Sequence, residues 1–129
     1  MLEIKPVQSK ADQEKYCAMC GIVYDPEAFA YAALDERVFV CVSQFRIMEQ
    51  AGYIYDIAEP PGADDLEAVI LTARATLNFI DLCGTPRACI RTEYRDLPRL
   101  LGFTQADGEW TLELRGYFDG PCEGEKQKK

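Results

Sequence analysis

No histidine occurs anywhere in the 129 residues. That absence excludes histidine-ligated zinc sites and every nucleophilic triad built on an imidazole base. Basic charge is also scarce: 14 Lys and Arg stand against 22 Asp and Glu, a net of -8. A chain so acidic has no excess cation to replace phosphate counterions, so no nucleic-acid partner is expected. The small basic cluster of Lys126, Lys128 and Lys129 lies at the very end and reads as a solvated tail. Long apolar runs are missing too, because Arg, Glu or Asp breaks each stretch, and no membrane partner follows. The N-terminal Met1-Leu2-Glu3-Ile4-Lys5 carries no apolar signal region, which places the expected location in the cytoplasm.

What remains is ordinary for a globular core. Hydrophobic residues make up 48% and charged residues 28%, too apolar for disorder. The length suits one domain, expected over residues 1–119, with a mobile C-terminal tail over 120–129. The six cysteines, without an export signal, read as reduced and packed side chains. Cys17-Ala18-Met19-Cys20 has C-x-x-C spacing, but no second pair completes a zinc site and the segment reads as helix. No metal is expected.

Periodicity supplies the element order. Leu2 to Pro6 alternates as a strand. Ser9 offers an N-cap for a helix from Asp12 to Met19, stopped at Gly21. Phe29 to Leu34 and Val38 to Ile47 read as strands joined by a turn at Asp35-Glu36. The second would carry Val38, Val40 and Val42 on one face and Phe39, Cys41 and Phe45 on the other. Tyr53 to Ala58 follows as a strand that Pro60-Pro61-Gly62 stops. The strongest helix runs from about Asp65 to Cys83, roughly 28 Å. Its apolar stripe is Leu66, Val69, Ile70, Ala73, Leu77 and Ile80, its cap Asp64, and its C′ residue Gly84. Arg87 to Thr92 is a strand, Asp96 to Leu101 a short helix ended by Gly102, and Asp107-Gly108 a hairpin turn. Trp110, Leu112 and Leu114 lie on a last strand, with one more strand conceivable at Gly116 to Phe118. Three antiparallel strands thus lead into a strand–helix–strand crossover with parallel strands. The fold class is α+β (a three-layer arrangement), a mixed, mostly antiparallel sheet with helices on both faces.

Three pieces resemble the GNAT acetyltransferase superfamily: the strand Tyr53-Ile54-Tyr55-Asp56-Ile57-Ala58, the long helix from Leu66 into Gly84, and Leu97-Pro98-Arg99-Leu100-Leu101-Gly102-Phe103 before the final hairpin. The resemblance implies an acyl-CoA N-acyltransferase-like fold. It implies that the backbone around Ile57 and Ala58 would face a pantetheine arm, and that Gly62, Ala63 and Asp64 would lie where the family holds the coenzyme A pyrophosphate on a glycine-rich loop. Here that loop is Glu59-Pro60-Pro61-Gly62-Ala63-Asp64-Asp65. Its prolines donate no N–H, and its acids stand where a diphosphate would sit. The family's strand Asn falls on Arg91 and its acid Tyr on Pro98. Tyr94, one turn earlier, could substitute as the acid; an ordinary packed Tyr is the plainer reading.

Asp56 is a candidate general base for an amine. Strict alternation puts it with Ile54 on the strand's polar, solvent side, opposite Tyr53, Tyr55 and Ile57. Two functions stay open. One is a degenerate, non-catalytic member binding a small-molecule ligand or a protein, with no cofactor. The other is an N-acetyltransferase that uses acetyl-CoA on a small amine or peptide amine. A gap between the Tyr53–Ala58 and Arg87–Thr92 strands would leave room for a pantetheine arm; a closed sheet would not. A homodimer paired through the last strand, with Trp110 and Tyr117 at an edge, is a further expectation.

Overall fold

The structure is a computed structural model that describes residues 1–118. The expected tail at 120–129, with Cys122, lies outside the described residues. The chain runs β1 (Leu2–Pro6), α1 (Lys10–Cys20), β2 (Phe29–Asp35), β3 (Val38–Ile47), β4 (Gly52–Ala58), α2 (Leu66–Leu82), β5 (Arg87–Ile90), α3 (Leu97–Leu101), β6 (Thr104–Ala106) and β7 (Glu109–Glu113). One seven-stranded sheet has the order β1-β2-β3-β4-β5-β7-β6. β4 and β5 pair in parallel, and every other neighbouring pair is antiparallel. The mixed, mostly antiparallel α+β sheet is therefore as expected.

The helix ends follow local chemistry. Ser9 Oγ accepts from the Asp12 N–H, and Gly21 closes α1 in the left-handed conformation. The cap of α2 is Asp65, whose Oδ1 accepts from the Ala68 N–H at 3.1 Å. Asp64, expected in that role, is exposed and one residue too early. The first hairpin turns on Glu36 and Arg37, both at positive φ (53° and 72°), one residue later than expected. A two-residue turn of that hand needs both central residues there. Asp107 and Gly108 make the expected second turn, at 53° and 79°.

The two helical layers attach to alternate residues of β3. Gln13 and Tyr16 of α1 meet Gln44 and Phe39. Thr72, Thr76 and Phe79 of α2 meet Cys41, Ser43 and Phe45. Neighbouring strand residues point to opposite faces, so α1 and α2 lie on opposite faces. The core sits on the α2 face and includes Phe45, Ile54, Ile57, Val69, Leu77 and Ile80, with Leu97 and Leu101 of α3.

Two bulges overturn simple alternation. Ala33 pairs with Cys41 but Leu34 pairs with Phe39, leaving Val40 as the extra residue. Phe39 is thereby turned to the α1 face, where its ring stacks on Tyr16 at 4.4 Å between centroids. It does not share a face with Cys41 and Phe45, as expected from sequence. On β4, Gln44 pairs with Asp56 and Phe45 with Ile54, leaving Tyr55 extra. Ile54 and Ile57 then both reach the core, while Asp56 turns to the α1 side beside Gln44. The expected pairing of Ile54 with Asp56 on one face fails for that reason.

The stripe of α2 also differs from expectation. Leu66 is exposed and Ile70 half-buried, whereas Thr72 and Thr76 are fully buried. Their hydroxyls donate to the carbonyls of Ala68 and Thr72, which lets polar residues enter the core without orphaned donors. At Gly52 an added Cβ would lie 2.5 Å from Ile80 Cγ2, so only glycine lets β4 approach α2 this closely. Gly116 to Phe118 forms a turn, not a strand. β7 lies between β5 and β6, so it has no free edge for the expected dimer pairing. Among the described residues no helix is long and apolar enough to cross a membrane.

Candidate functional site

Pairing between β4 and β5 lasts three residues: Gly52 with Ala88, Tyr53 with Cys89, and Ile54 with Ile90. A last hydrogen bond joins the Arg91 N–H to the Ile54 carbonyl at 2.8 Å. β5 then ends, while β4 continues through the Tyr55 bulge to Ala58. The strands part at this point. A cavity of about 390 Å³ opens there, lined by Gly21, Ile22, Tyr55, Asp56, Ile57 and Arg91 among others. A shallower one of about 610 Å³ continues it past Tyr24, Asp25 and Arg46. The sheet is thus open where a gap was expected to decide between readings.

Its floor is a polar network that the sequence did not announce. Gln44 is fully buried in the middle of β3. Its Oε1 accepts from Gln13 Nε2 at 2.9 Å and from the Asp25 N–H at 3.0 Å. Its Nε2 donates to the Val23 carbonyl at 2.9 Å and to Asp56 Oδ2 at 3.0 Å. All four bonding positions of the amide are used. It ties α1, the loop after α1 and β4 together. Asp25 in turn accepts from Arg46 Nε and Nη2 and from the Tyr55 hydroxyl. The Tyr55 hydrogen bond and the Arg46 guanidinium hold the Asp25 carboxyl down at about 2, against the opposing effect of burial. Burial and the Asp25 charge push the Tyr55 hydroxyl up to about 12.

A pH dependence follows. A folded-state pKa below the unfolded value near 3.9 adds stability above that value and loses it as pH falls toward about 2. Denaturant midpoints measured from pH 5 to pH 2 are expected to fall through this window. The part of the fall due to Asp25 disappears in Asp25→Asn. An unchanged slope in that variant would refute the assignment.

Asp56 lies in this network, half-buried and not on a solvent face. Burial raises its carboxyl, while Gln44 and Arg91 pull it back down. Tyr94 is placed elsewhere. Its hydroxyl donates to Glu59 Oε1 at 2.7 Å, and burial together with that carboxylate raises its pKa strongly. Glu59 Oε2 accepts from the Asp65 N–H at 2.8 Å. One carboxylate therefore joins the start of α2 to Tyr94, across 35 residues of chain.

The residues singled out for coenzyme A separate into two groups. Ile57 lines the opening, and the Ala58 carbonyl accepts from Cys20 Sγ at 3.4 Å. Gly62, Ala63 and Asp64 line neither cavity. The Ala63 N–H donates to the Pro60 carbonyl at 3.0 Å, closing a turn, and Gly62 serves that turn at φ 87°. Burial pushes Cys17 and Cys41 up to about 11 and Cys20 to about 12, which makes all three poor nucleophiles.

Sequence reasoning missed Gln44, Asp25 and Arg46, and it missed the partnership of Glu59 with Tyr94. A detectable signal existed only for Gln44, an amide in a strand that is apolar on both sides of Ser43-Gln44.

No protein-family model matches the sequence, and no curated protein matches it. Solved structures do match in three dimensions. The ribosomal-protein-S18-alanine N-acetyltransferase of Escherichia coli superposes with a TM-score of 0.68 at 10% identity, over 88% of this chain and 94% of that one. The PaiA N-acetyltransferase of Thermoplasma acidophilum, in complex with coenzyme A, gives 0.67 at 9% identity, over 86% and 96%. A GNAT-family acetyltransferase of Brucella melitensis, in complex with acetyl-CoA, gives 0.67 at 11% identity, over 88% of each chain. Element order, the parallel β4–β5 pair and these superpositions agree: the chain has the GNAT acetyltransferase fold.

Proposed function

We propose that this chain is a non-catalytic GNAT-fold module that binds a small ligand in the opening between β4 and β5, without using coenzyme A. The observation that carries the reading is the Glu59 carboxylate at the start of α2. In neighbours solved with coenzyme A or acetyl-CoA, a cofactor diphosphate is accommodated by the same fold. In this chain Glu59 takes the Asp65 N–H, Asp65 takes the Ala68 N–H, and Pro60 takes the Ala63 N–H. Three donors around the start of α2 are thus occupied from within, two of them by carboxylates. Like charges a few ångströms apart cost on the order of 1–4 kcal/mol depending on screening. Tyr94 is a poor proton donor to a thiolate because burial and its hydrogen bond to Glu59 hold the proton on the phenol. Residues 1–119 would act as one unit in this reading.

The parted strands support a second reading, an acetyl-CoA-dependent N-acetyltransferase. In it Asp56 would accept the amine proton, and the backbone at Ile57 and Ala58 would face the thioester. Calorimetric titration with acetyl-CoA separates the two. No saturable heat at millimolar ligand is expected for the native chain. Glu59→Gln, which removes the charge but retains a hydrogen-bonding side chain, is expected to improve any residual affinity by roughly ten-fold. Micromolar binding to the native chain would sink the proposal.

A further inference from the structure

The cleft carries two opposite charges that the protein leaves facing each other across the parted strands. Asp56, on β4, uses Oδ2 to accept from Gln44 at 3.0 Å. Its Oδ1 has no donor among the described residues. Arg91, the first residue past β5, is exposed and its guanidinium makes no hydrogen bond or ion pair among the described residues. Both side chains line both cavities. The other charged pair there is already closed, because Arg46 sits on Asp25 at 2.8 Å. Asp56 and Arg91 are not within ion-pair distance of one another. Gln44 holds Asp56 through Oδ2, and Arg91 is near enough to favour the Asp56 charge without closing on it.

We propose that this opening receives a small zwitterion, an amine-bearing carboxylate, with its ammonium on Asp56 and its carboxylate on Arg91. The inference rests on reading the β4–β5 opening as a ligand site. A purely cationic ligand would meet Arg91, and a purely anionic one would meet Asp56. Only a dipolar ligand satisfies both. Glu93, two residues past Arg91, also lines the smaller cavity and adds a second carboxylate to it. A volume of about 390 Å³ leaves ample room for a molecule of amino-acid size. Guanidinium recognises carboxylate through paired N–H donors, and a half-buried carboxylate recognises ammonium by a charge-assisted hydrogen bond.

The test uses the full chain labelled with nitrogen-15 and a series of unbranched amino acids from glycine to 5-aminopentanoate. N-acetylated and carboxamide forms of each serve as singly charged controls. The expected result is saturable shifts of the Tyr55, Asp56 and Arg91 amides, strongest at one chain length. Each control should bind roughly ten-fold more weakly, and so should the Arg91→Gln variant. Arg91 is exposed, so that variant is expected to keep the native melting temperature, and Asp56→Asn retains an acceptor for Gln44. Controls that bind as tightly as the parent compounds would overturn the zwitterion while leaving a ligand site standing. No shift with any compound would overturn it as well. Tight acetyl-CoA binding in the separate titration would remove the non-catalytic reading and leave this result intact.

Discussion

Gln44→Leu is expected to lower the unfolding free energy by roughly 3–5 kcal/mol. The side chain is similar in size, so the loss does not come from a cavity. It comes from three groups left without a partner, the Asp25 N–H, the Val23 carbonyl and Asp56 Oδ2, and from Gln13 Nε2, which keeps only its bond to the Asp25 carbonyl. Gln44 is fully buried, so water cannot replace it without entering the sheet–helix contact. Each orphaned group costs about 1–3 kcal/mol, and partial relaxation keeps the sum below simple addition. Urea unfolding measures the quantity directly. A loss under about 1 kcal/mol would mean that the network is surface decoration. The same variant is expected to loosen the Val23–Asp25 segment, read as faster amide exchange at Asp25. A surface role for Gln44 would leave that exchange unchanged.

Phe45→Ala tests the other face of the same strand. Phe45 is 1% exposed. Its ring lies 5.7 Å from those of Phe29 and Phe79 and 6.1 Å from Tyr31, centroid to centroid. Removing a buried ring of this kind costs roughly 3–5 kcal/mol, from lost burial and from the cavity left behind. Phe45→Leu retains most of the volume and should cost less than half as much. The contrast with Phe39 is informative. That ring is half-buried and stacks on Tyr16 of α1, so Phe39→Ala should cost distinctly less than Phe45→Ala. Equal losses at the two positions would contradict the bulge at Val40, which sends them to opposite faces. Chemical denaturation of the three variants supplies the comparison.

These two variants show where reading the chain succeeds and where it stops. The element order was legible because each signal is local. Ser9 and Gly21 bracket α1, Asp107-Gly108 turns a hairpin, and Val69, Ala73, Leu77 and Ile80 recur at helical spacing along α2. The GNAT-like fold was legible from that order, and the superpositions agree with it. Cap and turn positions slipped by one residue at Asp65 and at Glu36-Arg37, because several neighbouring acids could serve and only the backbone geometry selects among them.

The candidate site was legible only in part. Asp56 was singled out, but its direction was not, since one extra residue at Tyr55 reverses every side chain beyond it. Strict alternation carries no record of a bulge. Tyr94 was singled out for proton donation, and its partner was invisible because Glu59 lies 35 residues away. Arg91 was noticed only for what it lacks. Its standing opposite Asp56 depends on where β5 stops pairing with β4.

Composition alone determined what chemistry this chain cannot use: with no histidine, no imidazole can act as base, nucleophile or ligand. Local pattern determined the succession of strands and helices. The tertiary structure decided everything that depends on register. It set which face Phe39 and Asp56 occupy, brought Glu59 between α2 and Tyr94, and parted β4 from β5. The physical reason is that capping and periodicity act within a few residues. Bulges, buried amide networks and opposed charges are chosen by the free energy of the whole packed sheet.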